Sequence, residues 1–300
     1  MYHKGEHEAR IKTCEASIGD RNERMINDKI IPGAINFIEK QLFFIVSSMD
    51  ANGGIVTSVV AGEDGFLQVM DEGTMLINRK LVNSNPYDLF WQNILVHPKV
   101  GLLFIELSSR RRFRVNGSIR IENENLVVDV DQAYPNCPKY IQQRHVIRDE
   151  PPSYSDLPEQ GTALTSSIID IIRGADTFFV GSADAFGNLD ASHRGGSPGF
   201  VFIDSDDSLL IPDYNGNSMY NTFGNFLVNP VAGLVFIDFT HYRTLQLTGS
   251  VEIIWEKDDP GSVSGGTGWF WRFYPSGWTL LDNLKGYEWN FDGYSPFNPT

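Results

Sequence analysis

The feature that most constrains the fold of this chain is an internal duplication. Residues 43–78 align without gaps on residues 177–212 at a shift of 134, so that FIVSSMDANGGIVTSVVAGEDGF faces FFVGSADAFGNLDASHRGGSPGF. A second block follows at a shift of 132, in which NILVHPKVGLLFIEL faces NFLVNPVAGLVFIDF. Self-similarity at a nearly constant shift is a signature of repeated structural units. The sequence therefore predicts two copies of one domain in tandem.

Each copy has the patterning of a small antiparallel β domain. The runs LFFIVSS and TFFVGSA are rich in β-forming residues, and each leads into a turn with aspartate and glycine before a return strand. Apolar residues at helical spacing over Pro86–Val96 and Ser218–Val228 predict one helix per copy, ended by the following proline. About six short strands and one helix per copy are typical of a small barrel. The expected class is mainly β with peripheral helices (α+β).

One strand of the first copy, Arg111–Ile121, alternates strictly between apolar and polar side chains. Phe113 and Val115 lie on its apolar face, and Arg112 and Arg114 lie on its polar face. Together with Arg110-Arg111 these arginines form a basic island in the first copy. The island is either a binding surface or a solvated edge strand whose charges oppose aggregation.

The repeat also predicts the domain boundaries. Residues 1–147 form an N-terminal domain, the proline-rich segment 148–160 a linker, and residues 161–300 a C-terminal domain. A helix is expected to open each copy, over Ile30–Lys40 and over Thr165–Arg173. Beyond Lys257 the chain is rich in glycine and tryptophan, and its aromatic content predicts packing on a barrel without indicating a secondary structure.

The charge balance argues against polyanionic partners. The chain has 24 Lys and Arg against 38 Asp and Glu, a net charge of −14, which disfavours nucleic acid and anionic membranes. No apolar run reaches the ~18–20 residues that span a bilayer, and the charged start MYHKGEHEARIK is unlike a signal peptide. Cys14 and Cys137 are too few for a disulfide framework or a four-cysteine zinc site. We expect a cytoplasmic protein with no metal centre, no nucleic-acid partner and no membrane association.

The segment Asp190–Gly199, DASHRGGSPG, has the residues of an anion-binding turn. A strand that ends in Ser192-His193-Arg194 runs into Gly195-Gly196. Glycines let backbone N–H groups approach a ligand, and arginine offers a forked cation for phosphate. The alternative is an ordinary glycine turn with a solvated His–Arg pair. The first copy has Val59-Val60-Ala61 at the matching positions, so the two copies are expected to differ in function.

A second polar segment, Asp213–Asn225, lies where a turn enters the predicted helix. Free N–H groups and the positive end of a helix dipole favour phosphate at such a place. Helix capping by Asn217 or Ser218 is the alternative that needs no ligand, and it explains only one or two of the polar residues. The amides and hydroxyls of the segment belong to Asn215, Asn217, Ser218, Asn221, Thr222 and Asn225.

These segments together resemble a known family. DASHRGGSPGFVFID, NGNSMYNTFGNFLVNPVAGLVFIDF and LQLTGSVEIIW are similar to the flavin-nucleotide-binding, pyridoxamine 5′-phosphate oxidase-like family. RRRFRVNG followed by VDQAYPNCPKYIQ resembles the first half of its two-barrel members, and the resemblance spans residues 3–272. It implies two tandem FMN-binding split β-barrels that form an intrachain pseudo-dimer, with the flavin at the junction between them.

The resemblance also implies site residues, with one good flavin site in the second copy and His193 as the best candidate for a catalytic group. The oxidase proper has an Arg–Lys pair at the helix entrance, where this chain has Asn221-Thr222, so the phosphate is expected to rely on neutral donors and Arg194. The implied cofactor-binding residues are Ser192, His193, Arg194, Gly195, Asn217, Ser218, Asn221, Thr222 and Asn225, with Thr244 and Gln246 near the ring.

The function that the resemblance implies is that of an FMN-dependent oxidoreductase acting on an unknown small substrate. Its electron donor is expected to be a separate reductase, and the chain is expected to be a monomeric pseudo-dimer or a homodimer. Two alternatives stay open, a non-catalytic flavin-binding or carrier module and a haem-binding split-barrel protein.

Overall fold

The computed structural model describes residues 2–148 and 157–299, so most of the predicted linker at 148–160 lies outside the described residues. Within those ranges the chain is mainly β and contains two large antiparallel sheets, which confirms the expected fold class. No helix in the described ranges is both long and apolar enough to cross a bilayer.

The first copy forms a seven-stranded sheet with the hydrogen-bonded order β2-β1-β5-β6-β7-β4-β3. In the described part of the chain no ladder joins β2 to β3, so the barrel is split between the two ends of the sheet. The strands are β1 (Phe43–Met49), β2 (Ile55–Ala61), β3 (Leu67–Asp71), β4 (Thr74–Ile77), β5 (Lys99–Glu106), β6 (Arg111–Glu122) and β7 (Asn125–Pro135), and β8 (Gln143–Arg148) leaves the barrel.

The second copy repeats this sheet in the order β11-β10-β14-β15-β16-β13-β12, with β9 added beside β16. The strand order is that of the first copy, position for position, which confirms the tandem duplication. The strands are β9 (Glu159–Gly161), β10 (Thr177–Ala183), β11 (Leu189–Gly195), β12 (Phe202–Ile203), β13 (Leu209–Pro212), β14 (Val231–Asp238), β15 (Arg243–Ile254), β16 (Phe270–Asp282) and β17 (Tyr287–Gly293).

The tryptophan-rich tail is part of the second barrel. Its strand β16 pairs with both β15 and β13, and so takes the place that β7 has in the first barrel. The last strand, β17, pairs with β8 in a separate two-stranded sheet that ties the tail to the first copy. The predicted packing of the tail on a barrel is confirmed, and its strands depend on partners far away in the sequence.

The helices lie on the outside of the barrels. The helices predicted over 86–96 and 218–228 both begin later than expected. In the second copy, Ser218 and Tyr220 have positive φ angles of 59° and 57°, and a right-handed helix does not contain such angles. The helices are α1 (Lys4–Lys12), α2 (Ala16–Glu23), α3 (Pro32–Glu39), α4 (Phe90–Val96), α5 (Ser166–Gly174) and α6 (Asn221–Val228), with a short 3₁₀ helix at Arg79–Leu81.

One pair of identical asparagines holds the equivalent helices α4 and α6 on the sheets. The side-chain amide of Asn93 donates to the hydroxyl oxygen of Ser48 at 3.0 Å, and that of Asn225 donates to Ser182 at 2.9 Å. All four residues are buried. Their identity in the two copies therefore has a structural reason that applies whether or not a ligand is present.

The two barrels meet at a pair of identical glycines. A Cβ atom built on Gly101 in β5 would lie 2.6 Å from the Cα atom of Asp190 in β11. One built on the equivalent Gly233 in β14 would overlap the carbonyl oxygen of Ile55 in β2. We call the contact of β11 with β5 and β6 the β11 seam, and the equivalent contact of β2 with β14 and β15 the β2 seam.

An apolar core between the barrels accounts for the continuous hydrophobic runs of the sequence. In β1, Phe44 and Val46 face the interior of the first barrel, whereas Phe43 and Ile45 pack in a cluster shared with Phe179 of the second. A strand that is buried on both faces has no polar positions to alternate with. The two copies therefore form one continuous structure in the manner of a dimer.

We expect Gly101→Ala to lower the free energy of unfolding by about 1–3 kcal/mol, because its methyl group would push apart two close-packed strands. Urea denaturation measures this change. The matched control is Gly33→Ala in α3, where a Cβ atom meets nothing within 4 Å and where alanine is expected to be neutral or stabilising. Equal stability of Gly101→Ala and the unaltered chain would contradict the close contact of the barrels.

Candidate functional site

A cavity of about 100 Å³ lies in the β11 seam, where side chains of the two copies face each other. The second copy contributes strand β11 and the loop that enters α6. The first copy contributes strand β6 and the loop that follows β7. The predicted site residues that line this cavity are Ser192, His193, Arg194, Gly195, Asn217, Ser218, Asn221 and Thr222.

The first copy supplies cations that the helix entrance lacks. Arg112 and Arg114 of β6 and Lys139 of the loop after β7 all line the cavity. Strand β6 lies between β5 and β7, so the basic island is not on an edge strand. The basic island was the sequence signal for Arg112 and Arg114, but the sequence did not show that they face β11 of the other copy.

Arg114 forms one wall of the cavity, and both terminal nitrogens of its guanidinium have partners, whereas its buried Nε has none among the described residues. It donates to the hydroxyl of Ser192 at 2.6 Å and to the side-chain oxygen of Asn221 at 3.1 Å. It also pairs with the buried carboxylate of Asp190 at 3.0 Å and donates to the hydroxyl of Tyr134 at 2.9 Å. Burial raises the pKa of Asp190, although the Arg114 cation opposes that shift. Arg114 therefore joins the two copies through its terminal nitrogens, and its Nε–H group is left as an unused donor.

Arg112 lacks a neutralising partner. Its Nε donates to the carbonyl oxygen of Cys137 at 2.6 Å, and it forms no ion pair with a carboxylate in residues 2–148 or 157–299. Burial, together with the nearby cations of Arg114 and Arg194, lowers the pKa of Arg112 to about 9. An anion in the cavity would oppose this shift, because it favours the charged form of the guanidinium.

Arg194 is held at the cavity by a buried carboxylate. Its guanidinium donates to Asp213, and its Nε has no partner among the described residues. Burial raises the pKa of Asp213 in spite of that ion pair. The pair orients Arg194 but leaves one of its donors unused.

His193 is buried with neither ring nitrogen hydrogen-bonded to any described residue. Burial, with the cations Arg112 and Arg194, holds the pKa of His193 well below its usual range, so the imidazole is neutral at pH 7. A neutral imidazole still carries one N–H group, and a buried donor without an acceptor is costly. Unsatisfied donors grouped in a cavity between two domains are typical of a ligand site.

The start of α6 favours a site over simple capping. The Asn217 side chain accepts from the backbone N–H of Met219 at 3.2 Å, which closes a local turn. No side chain caps α6 at its N-cap position, Tyr220. Thr222 donates to Ser192 at 3.0 Å and so joins the helix start to β11. The capping proposed for Asn217 or Ser218 is not what the structure shows, and the helix start faces the cavity without a cap.

The structure does not bring three of the predicted residues to this cavity. Asn225 lines a neighbouring cavity and accepts a hydrogen bond at 2.9 Å from His3. Thr244 and Gln246 of β15 lie in the β2 seam, at the positions that Arg112 and Arg114 have in the β11 seam. The reason is the pseudo-twofold arrangement, in which the polar face of β15 meets β2 of the other copy and not β11 of its own.

Protein side chains fill the β2 seam at the place of the cavity. The Gln246 amide donates to Ser58 and to Asp88, each at 2.9 Å, and Ser58 donates to Asp88 at 2.6 Å. The loop after β16 adds Asn283, whose amide donates to the carbonyl oxygen of Val59 at 2.7 Å. The two seams thus share a backbone frame but differ in what occupies them.

No protein-family model matches the sequence, and a search of curated proteins finds no match. The chain is similar to solved structures of about half its length. HupZ of Group A Streptococcus is 14% identical with a TM-score of 0.28, and the match covers 44% of this chain and 98% of that one. HutZ, the heme storage protein of Vibrio cholerae, is 14% identical with a TM-score of 0.28, and the match covers 45% of this chain and 99% of that one.

Another similar structure carries the name of the enzyme whose family the motifs resemble. It is a putative pyridoxamine 5′-phosphate oxidase from Lactobacillus delbrueckii, 14% identical with a TM-score of 0.29, and the match covers 36% of this chain and 95% of that one. Each of these matches thus covers less than half of this chain.

Asp88→Asn is expected to change the pH dependence of stability. Burial raises the pKa of Asp88 to about 6, from 3.8 in the unfolded chain, so ionisation costs the folded state about 2–3 kcal/mol as the pH rises through that range. The Asn amide can donate to the Gln246 side-chain oxygen, which has no partner among the described residues.

Urea denaturation at several pH values between about 4 and 7 tests this prediction. The stability of Asp88→Asn relative to the unaltered chain should rise by about 2–3 kcal/mol over that interval. The control is Asp64→Asn, which replaces an exposed carboxylate outside both seams. Parallel pH profiles for the Asp88 variant and the unaltered chain would show that Asp88 does not titrate as described.

Proposed function

We propose that the chain binds FMN in the β11 seam and is an FMN-dependent oxidoreductase acting on a small substrate. The observation that carries the proposal is the group of unsatisfied donors in one cavity, the N–H of the His193 imidazole and the Nε–H groups of Arg194 and Arg114. The guanidinium of Arg112, which forms no ion pair within the described residues, adds a cation to the same cavity. Those donors suit an anion, and the resemblance of the β11 and α6 segments to flavin-nucleotide-binding proteins is the reason for proposing the phosphate of FMN as that anion.

The residues fit the phosphate end of FMN. Phosphate is recognised by arginine, lysine and free N–H groups at a helix start, and all three kinds line this cavity. Ligand pockets for whole cofactors have volumes of about 300–1,000 Å³, so a cavity of about 100 Å³ holds the phosphate group alone. The remainder of the molecule would extend past the rings of Tyr140 and Tyr214, which also line the cavity and lie 4.9 Å apart.

Each residue then has a distinct part in binding. Arg112 and Lys139 from the first copy and Arg194 from the second neutralise the phosphate charge, and Asp213 keeps Arg194 in place. His193, which is neutral at pH 7, offers an N–H donor without adding charge. Bound FMN would supply the redox chemistry, while the protein sets its orientation and potential.

Two alternatives make different predictions for the purified chain. A carrier or sensing module binds FMN but shows no turnover with a nicotinamide reductant. A haem protein shows a Soret band that a His193 substitution abolishes, because a neutral imidazole is a common iron ligand. The visible absorbance spectrum of the protein as isolated separates flavin, haem and the absence of both.

Arg112→Gln is expected to weaken FMN binding by about tenfold or more, because it removes a charge-assisted contact to phosphate from a buried site. Flavin fluorescence quenching measures the dissociation constant. Riboflavin, which lacks the phosphate, should bind the variant and the unaltered chain with the same affinity.

The matched control is Arg120→Gln, which removes the same charge from the same strand. Arg120 is exposed and pairs with Asp129, outside the cavity. FMN affinity should be unchanged in this variant. An equal loss in both variants would assign the effect to net charge, and no binding of FMN by the unaltered chain would exclude the proposed function.

A further inference from the structure

A second cavity, of about 390 Å³, adjoins the first at Asn221, which lines both. Four separate parts of the chain enclose it: helix α1 with the residues before it, strands β5 to β7 of the first barrel, and the β10–β11 hairpin and helix α6 of the second. Its volume is within the range of small-molecule sites. It is therefore large enough for a ligand of its own.

Close packing of two glycines puts the N-terminal residues at this cavity. A Cβ atom on Gly5 of α1 would overlap the carbonyl oxygen of Gly224 in α6, so the two helices touch through their backbones. The first copy has Gln92 at the position of Gly224, and the Gln92 side chain rules out the same backbone contact on the first barrel. The contact brings Glu6 against Asn221, whose amide donates to its carboxylate at 2.5 Å.

The charge of the cavity lining is opposite in sign to that of the first cavity. Four carboxylates line it, those of Glu6, Asp131, Asp184 and Asp190, against the single lysine Lys99. The Lys99 ammonium group already donates to the side-chain oxygen of Asn188 at 2.6 Å and to the carbonyl oxygen of Phe186 at 3.2 Å.

Two of these carboxylates, Asp131 and Asp184, have no basic partner among the described residues. Asp190 pairs with Arg114, but Asp184 accepts only from the amides of its own turn. Asp131 forms no ion pair or hydrogen bond with any residue in the described ranges. Glu6 is buried, accepts from Asn221 and from the His3 backbone, and lies 3.7 Å from the His3 ring. Burial raises the pKa of Glu6, so desolvation of this carboxylate is not fully compensated.

The lining also has an unused acceptor. The side-chain oxygen of Asn116 is buried and has no hydrogen-bond partner among the described residues, while its amide donates to Asp190 at 3.3 Å. Uncompensated carboxylates and a free amide oxygen both require donors. Among the residues described, no group of three or more His, Cys, Asp or Glu side chains is placed to hold a metal ion. The acceptors lie instead on different sides of the cavity, an arrangement that suits a larger, organic donor.

The β2 seam provides an internal comparison. It too is flanked by a cavity of about 390 Å³, in which Val56 and Leu89 take the places of Asp190 and Asn221. No charged side chain lines that cavity within the described residues. The carboxylates are therefore a property of one seam and do not follow from the fold.

We propose that the cavity enclosed by α1 and the β11 seam binds a small organic cation, an alkylammonium compound, through the carboxylates of Glu6 and Asp131 and the amide oxygen of Asn116. The inference does not require FMN at the neighbouring site. It depends only on the shape, charge and unsatisfied acceptors of this cavity.

The test uses the full chain and two probes of equal shape, butylammonium and 1-butanol, in calorimetric titrations at constant ionic strength. Butylammonium should bind and 1-butanol should bind at least about tenfold more weakly, because only the cation meets the carboxylates. Equal affinities for the two probes, or no binding of butylammonium, would overturn the proposal.

Variants locate the binding. Asp131→Asn changes an exposed rim residue with little risk to folding, and Glu6→Gln changes a buried one; each should weaken butylammonium binding by about tenfold. The control is Asp129→Asn, an exposed carboxylate on the same strand that does not line the cavity. If Asp131→Asn binds the cation as tightly as the unaltered chain, or if Asp129→Asn loses as much affinity, the site is not this cavity.

Discussion

The close contact of the two barrels at Gly101 and Gly233 is the constraint on which the rest of the structure depends. A glycine at each position lets a strand of one barrel lie against the backbone of the other, with no side chain between them. Because the contact is repeated about a pseudo-twofold relation, each seam combines β11 or β2 of one copy with the polar face of β6 or β15 of the other. This contact therefore determines which side chains of the two copies meet at the candidate site.

The two seams have diverged on a common frame, and charge is the main difference. Ser192 and Ser58 are equivalent, but the first accepts from Arg114 and the second accepts from Gln246 and donates to Asp88. In the β2 seam Gln246, Ser58 and Asp88 hydrogen-bond to one another, Asn283 helps to fill the space, and the polar atoms left without a partner, Gln246 Oε1 and the Thr244 hydroxyl, carry no charge. In the β11 seam, the half-buried Arg112 has no ion-pair partner among the described residues, and the buried imidazole of His193 has no hydrogen-bond partner there. A buried charge is tolerated when a partner of opposite charge is present, and this requirement is the basis of the ligand that we propose for the β11 seam.

The candidate site shows where reasoning from the sequence stops. The segments around His193 and Asn221 have local signals, glycines after a short polar strand and amides before a helix, and the structure brings these two segments together at one cavity. Arg112 and Lys139 had no such link to them, because the contact between residues so far apart depends on how the barrels dock. For the same reason Thr244 and Gln246, which follow α6 in the same copy, lie in the other seam. In each seam, the polar strand, β6 or β15, comes from the copy that does not supply β11 or β2.

The sequence by itself determined the duplication, the strands with their turns, and the difference in charge between the copies, because these depend on local patterning and on comparison of one copy with the other. Only the tertiary structure decided that the tryptophan-rich tail becomes β16 and β17, since those strands are defined by partners distant in the chain. It also decided which basic residues meet His193 and that α1 of the first half covers α6 of the second. Docking between two similar barrels buries faces that each copy would expose alone, and no periodicity within a strand specifies what lies opposite.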